Sequence, residues 1–69
     1  MNVIDLHGLS YEDAKRKLEL FINDNWGKEI KVITGNSESM KDLACNLASF
    51  YNLITSRKPF FGYIIIKGW

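Results

Sequence analysis

The chain has 69 residues, of which 46% are hydrophobic and 25% are charged, and its formal net charge is +1. Such a composition is typical of one small globular domain and excludes a disordered chain. A charge this close to zero also excludes the overall basicity that marks many nucleic-acid-binding proteins. Binding of that kind would require a local patch.

The cysteine content and the apolar runs restrict the cellular setting. Cys45 is the only cysteine, which excludes an internal disulfide and a cysteine-based zinc site and favours a reducing compartment. The longest apolar run near the start, around Val3 to Leu6, is too short for a signal-peptide core or a membrane span. We therefore expect a cytoplasmic protein that binds no membrane.

The first part of the chain predicts a strand and then a helix. Residues Asn2 to Leu6 are β-branched or apolar apart from Asn2 and Asp5, which predicts a strand. Ser10 opens a capping-box pattern with Asp13, so we expect a helix to begin there and to end at Gly27. Apolar residues at spacings of three and four predict its buried stripe: Tyr11, Ala14, Leu18, Phe21, Ile22 and Trp26.

The remainder predicts a second helix between strands. We expect strands over Lys28 to Thr34, Leu53 to Arg57 and Phe61 to Lys67, with a turn at Lys58-Pro59 before the last one. The second helix is capped by Ser37 or Ser39 and ends at Asn52. Its apolar side consists of Met40, Leu43, Ala44, Leu47, Ala48 and Tyr51.

The order β-α-β-α-β-β predicts an α/β (α+β) two-layer sandwich over residues 1–69, with both helices on one face of the sheet. Strands joined through a helix run parallel, so the first two strands end at the same edge. Open α/β sheets bind ligands at such an edge. The residues expected there are Asp5, His7, Gly8, Thr34, Gly35, Asn36 and Ser37.

Two interpretations of this edge are open. In the first interpretation, the free N–H groups at the start of the second helix offer an anion site beside His7. A histidine gives or takes a proton near neutral pH, and Asp5 orients the His7 ring. Alternatively, Asp5 and His7 only cap and hydrogen-bond a turn, and Gly35-Asn36-Ser37 is a plain turn with a helix cap. The aromatic residues near the end of the chain also have alternative interpretations: they belong to the core, they cover the sheet face that has no helices, or they form a surface that binds a partner. These residues are Phe60, Phe61, Tyr63 and Trp69.

Taken together, these motifs resemble those of the Smr domain, the small MutS-related module, over nearly the whole chain. The family's opening motif is close to L-D-L-H-G-x-x-x-x-E-A; Ile4 to Gly8 follow it in order, and Asp13-Ala14 stands where Glu-Ala is usual. A T-G-x-G or H-G-x-G motif usually follows the second strand. Thr34 and Gly35 match this motif, whereas Ser37 replaces the second glycine.

The resemblance implies a four-stranded mixed sheet, similar to the C-terminal domain of the third bacterial translation initiation factor. It also implies nucleic-acid binding and, in several members, endonuclease activity on RNA or nicking of DNA. Carried onto this chain, the catalytic candidates are Asp5 and His7. The candidates for phosphate contact are Gly8, Thr34, Gly35, Asn36, Ser37 and Lys41.

The leading hypothesis is a nucleic-acid-binding domain, for RNA rather than DNA, with metal-independent endonuclease activity and no cofactor. In that mechanism His7 moves a proton, Asp5 fixes its tautomer, and the amides from Gly35 to Ser37 hold the phosphate. One alternative is a non-catalytic module on structured RNA, branched DNA, a ribosome or a larger protein. Another is a protein-interaction module or small homodimer, although we expect a monomer.

Overall fold

A computed structural model of the chain describes residues 2–57 and 62–68. The elements are β1 (Asn2–Asp5), α1 (Tyr11–Asp24), β2 (Ile30–Ile33), α2 (Glu38–Phe50), β3 (Ile54–Arg57) and β4 (Tyr63–Lys67). This order confirms the predicted one. The predicted turn at Lys58-Pro59 and the aromatic residues Phe60, Phe61 and Trp69 lie outside the described residues.

The four strands form one mixed sheet in the order β1-β2-β4-β3. Strand β1 pairs with β2 in parallel, while β4 runs antiparallel to both β2 and β3. The expected two-layer fold with a four-stranded mixed sheet is therefore confirmed. Neither α1 nor α2 combines the length and the apolar character that a membrane crossing requires.

Both helices begin at a serine cap. The Ser10 hydroxyl accepts a hydrogen bond from the Asp13 amide at 3.2 Å, and the Ser37 hydroxyl accepts one from the Met40 amide at 3.2 Å. Because each hydroxyl satisfies an amide that the first helical turn leaves without a carbonyl, these caps set where the helices start. Of the two caps considered for α2, the structure has Ser37.

Helix α1 ends three residues before the predicted stop at Gly27. The Asn25 amide donates to the carbonyls of Phe21 and Ile22, and the Asn25 side chain also donates to Phe21. The Lys28 amide then donates to Asn25, so β2 starts only at Ile30 rather than at Lys28. Trp26 therefore lies beyond the helix and is 54% exposed, which makes its predicted place in the buried stripe wrong.

The core lies between the sheet and the two helices. Strand residues alternate, so that every second side chain faces the helices. The buried apolar residues are Ile4, Leu6, Ile30, Val32, Ile64 and Ile66 from the sheet segments, Ala14, Leu18 and Ile22 from α1, and Met40, Leu43, Ala44, Leu47 and Ala48 from α2. The helix stripes follow the predicted spacing, except that Tyr11 is 49% exposed, Trp26 is exposed beyond α1, and Phe21 and Tyr51 are only partly buried.

In the part of the chain that the structure describes, the opposite face of the sheet carries no helix. Val3, Lys31, Ile33, Tyr63 and Ile65 alternate with the core residues and therefore point to this side. The Lys31 ammonium lies 4.3 Å from the centroid of the Tyr63 ring, which is a cation–π contact. Tyr63 thus belongs to the open face rather than to the core.

Candidate nucleic-acid interface

The predicted meeting of the two connecting loops is confirmed by the register of β1 and β2. Asp5 pairs with Ile33, and the Leu6 amide extends the ladder by donating to the Ile33 carbonyl at 2.8 Å. Both strands therefore end at the same level, and the following loops leave the sheet side by side. A methyl group added at Gly35 would lie 2.9 Å from Cδ2 of His7, so the imidazole packs directly on this glycine.

The β1–α1 connection is a tight turn. The Leu9 amide donates to the Leu6 carbonyl at 3.2 Å, and Gly8 has a φ of +82°. A positive φ at the third position is the requirement of a type II turn, which explains a glycine there. Nothing lies within 4 Å of the position that a Gly8 side chain would occupy. The turn presents the exposed side chain of His7 to solvent.

Asp5 acts on the backbone of this turn. Its carboxylate accepts a hydrogen bond from the His7 amide at 2.9 Å. No hydrogen bond joins this carboxylate to the His7 ring, so the expected contact that would fix the tautomer is not made in this structure. This geometry agrees with the simpler interpretation for Asp5, in which the side chain holds the turn.

The role of Asp5 in the turn leads to a stability prediction. Asp5→Ala removes the acceptor and should lower the free energy of unfolding by about 1 kcal/mol. Asp5→Asn keeps a carbonyl oxygen in the same place and should cost less than about half of that. Urea denaturation of both variants measures the difference. Equal losses would show that the carboxylate charge, rather than the hydrogen bond, stabilises the turn.

The β2–α2 loop is held by Gly62, which the sequence analysis did not single out. The Gly62 carbonyl accepts from the Thr34 amide at 2.8 Å and from the Gly35 amide at 3.0 Å. A methyl group at Gly62 would lie 3.2 to 3.3 Å from the backbone atoms of Gly35. A glycine just before a hydrophobic strand signals such a close backbone approach, and that signal was present in the sequence.

This arrangement changes the expected phosphate contacts. The Gly35 amide is already bonded to Gly62, and the Thr34 hydroxyl donates to the Gly35 carbonyl at 3.0 Å. Thr34 is also only 1% exposed. These groups therefore shape the loop, and a ligand could reach them only if the loop opened. Of the amides expected to hold a phosphate, only those at the end of the loop remain available.

The end of the loop offers the free donors. Within residues 2–57 and 62–68, the backbone amides of Asn36, Ser37 and Ser39 donate to no protein acceptor, and Asn36 is exposed. The Ser37 hydroxyl is occupied by the Met40 amide and by the Ser39 hydroxyl at 3.1 Å. The positive end of the helix dipole lies at these amides, so they are suited to an anion.

Lys41 is not the surface residue that a phosphate contact would require. It is 2% exposed and lies on the buried side of α2 together with the apolar residues of the core. The periodicity of α2 predicted that apolar side chains occupy this side. It did not predict that a lysine shares the side with them.

The described residues contain no group of three or more histidine, cysteine, aspartate or glutamate side chains that could hold a metal ion. Comparison with known proteins identifies no relative: no protein-family model matches the chain, and neither a curated protein nor a solved structure does.

Proposed function

We propose that this domain binds nucleic acid, RNA in preference to DNA, at the edge where the β1–α1 turn meets the β2–α2 loop. The observation that carries the proposal is the exposed His7 imidazole, which lies on Gly35 next to the free amides that begin α2. An imidazole and helix N-terminal amides side by side suit a base or sugar and its adjoining phosphate. The Smr-like motifs D-L-H-G and T-G support the same proposal.

RNA is favoured because the site suits an unpaired strand. A histidine ring can stack on an exposed base, and its nitrogens can hydrogen-bond a 2′-hydroxyl, which DNA lacks. Both ring nitrogens of His7 are without a hydrogen-bond partner among the described residues. A single-stranded RNA can place a base, a 2′-hydroxyl and a phosphate within this small edge.

The charges near the site predict modest, salt-sensitive affinity. Glu38 is exposed in the first turn of α2 and places a carboxylate beside the free amides. The edge contacts only one or two phosphates, so the logarithm of affinity should fall with the logarithm of salt with a slope of about −1. Removing the charge with Glu38→Gln should raise the affinity about threefold.

Binding is tested with a labelled single-stranded RNA and a DNA of the same sequence, titrated with protein over a series of salt concentrations. RNA should bind more tightly, and His7→Ala should lower its affinity about fivefold through the lost stacking. Lys28→Ala is the control, because Lys28 is exposed before β2, at the opposite edge of the sheet. The proposal fails if RNA does not bind, or if Lys28→Ala weakens binding as much as His7→Ala.

A second candidate function is metal-independent cleavage of the bound RNA. The exposed imidazole of His7, which has no hydrogen-bond partner within residues 2–57 and 62–68, favours it. The 2′-oxygen would attack the adjoining phosphorus while the bond to the 5′-oxygen breaks. His7 would take the 2′-hydroxyl proton or protonate the leaving oxygen. Intact RNA recovered after long incubation with chelator would leave binding as the function.

A further inference from the structure

His7 lies on the open face of the sheet, the side that faces away from the helices. Leu6 extends β1 through its bond to the Ile33 carbonyl and is 0% exposed, so its side chain points into the core. Thr34, which follows β2, is also buried. Because side chains alternate along an extended chain, the residues after Leu6 and Thr34 lie on the open face. These residues are His7 and Gly35, and the His7 ring packs on Gly35.

Tyr63 is an aromatic neighbour of His7 on this face. It pairs with Ile33 across β2 and β4, and Gly35 lies two residues beyond Ile33. The Gly35 amide remains bonded to the Gly62 carbonyl at 3.0 Å, which keeps the two backbones at sheet spacing. Diagonal neighbours in a sheet are about 7 to 8 Å apart, which is close to the spacing of two bases that are splayed apart in a single strand. The two aromatic rings therefore occupy adjacent positions on the open face.

Lys31 supplies a cation at the same place. Its ammonium lies 4.3 Å from the centroid of the Tyr63 ring, and among the described residues it has no carboxylate within ion-pairing distance. The Asp5 carboxylate, on the neighbouring strand, already accepts a backbone hydrogen bond. The other charges of this face, Lys67 and the exposed Glu29, lie at the far end of the sheet and offset each other. A phosphate at the loop edge therefore meets an ammonium that no acidic group neutralises.

We propose that a single-stranded RNA continues from the loop edge onto the open face, with one base on His7, the next base on Tyr63 and the adjoining phosphate on Lys31. This inference rests on the proposed function and extends its site. Aromatic side chains on a sheet surface stack on unpaired bases. A cation–π contact at a partly exposed site is weaker than a charge-assisted hydrogen bond to phosphate. Lys31 therefore exchanges the ring for the phosphate, and the ring face is left to the base.

Stacking on Tyr63 is tested by the affinity of a labelled single-stranded RNA, measured by fluorescence anisotropy. Tyr63→Phe keeps the ring and should bind like the parent protein, whereas Tyr63→Leu should bind about tenfold more weakly. Phe50→Leu is the control, because Phe50 is 77% exposed at the end of α2, away from the loop edge, and this variant should bind like the parent protein. Equal affinities of Tyr63→Phe and Tyr63→Leu would overturn the stacking.

The phosphate contact of Lys31 is tested by salt dependence and by NMR. Lys31→Gln should weaken binding about threefold and make the slope of log affinity against log salt shallower by about 0.7, the value of one phosphate on a single strand. Lys67→Gln removes the same charge at the far end of the face and should leave the slope unchanged. The Tyr63 ring current shifts the ε-methylene protons of Lys31 upfield, and RNA should reverse this shift. An unchanged shift at saturating RNA contradicts the exchange.

The outcomes separate this inference from the proposed function. If His7→Ala weakens RNA binding while Tyr63→Leu and Lys31→Gln do not, the open-face inference fails and binding at the edge stands. If only the two open-face variants weaken binding, the edge site fails and the open face stands. If no RNA binds and sedimentation shows self-association that Tyr63→Leu abolishes, a second copy of the chain covers the face and both proposals fail. If Tyr63→Leu does not fold, Lys31→Gln and the NMR shift of Lys31 decide.

Discussion

Replacing His7 with alanine is expected to lower the rate of RNA cleavage by roughly a hundredfold to ten-thousandfold, the usual contribution of a general acid or base. In the proposed mechanism the exposed imidazole of His7 transfers the proton, and no hydrogen bond to a described residue occupies its nitrogens. Binding of the same RNA should fall far less, by about fivefold, because the helix amides remain. Cleavage rates are measured under single-turnover conditions with chelator. Affinities are measured with an RNA that carries a single 2′-deoxy substitution at the cleavage position.

Two controls make this result specific. Asp5→Asn should retain most of the cleavage, because the Asp5 side chain holds the His7 amide rather than the imidazole. The parent protein and His7→Ala should be purified identically, since a contaminating ribonuclease would survive the substitution. A His7→Ala protein that cuts as fast as the parent excludes cleavage by this site. A rate loss in Asp5→Asn equal to that in His7→Ala would instead restore the Asp–His pair of the original hypothesis.

Replacing Gly35 with alanine is expected to destabilise the domain by about 2 kcal/mol and to displace the His7 ring from its contact with residue 35. The φ of Gly35 is +65°, a region that residues with a Cβ rarely adopt, and the added methyl group would lie 2.9 Å from the His7 ring. A domain of this size has a total stability of roughly 3–10 kcal/mol. Such a loss would therefore be plain in a urea or thermal unfolding curve.

The two causes of this loss can be separated by matched variants. Gly8→Ala imposes the same kind of backbone strain, at a φ of +82°, with nothing within 4 Å of the new methyl group. In a His7→Ala background, Gly35→Ala should cost only about as much as Gly8→Ala, because the ring is gone. An equal cost of Gly35→Ala in both backgrounds would show that the imidazole does not pack on Gly35.

The fold was predictable because local patterns agreed with the tertiary structure. Apolar residues at spacings of three and four placed Ala14, Leu18 and Ile22 in the core, and Ser10 began α1 as its capping pattern predicted. Helix α2 ends at Phe50, two residues before the predicted end, and Asn52 follows the C-cap with a φ of 60°, as expected of an asparagine just after a helix. The predicted end of α1 at Gly27 is wrong for a local reason. The Asn25 side chain donates to the Phe21 carbonyl, and the helix ends before Gly27.

The place of the candidate site was also predictable, but its hydrogen bonds were not. The parallel connection between β1 and β2 brings His7 beside Gly35, and this rule needs only the order of the elements. The bonding of the Gly35 amide to Gly62 depends on β4 pairing with β2. That pairing joins residues far apart in the chain, so no local pattern indicates which amides remain free.

The sequence by itself determined the order of the elements, the two helix caps, the core stripes and the edge at which D-L-H-G meets T-G-N-S. These features follow from propensity, periodicity and chain connectivity, which act over a few residues or through a single crossover. Only the tertiary structure decided that Asp5 binds a backbone amide, that Gly62 takes the Gly35 amide, and that Lys41 is buried. Each of these depends on which groups from distant segments come within hydrogen-bonding or van der Waals distance.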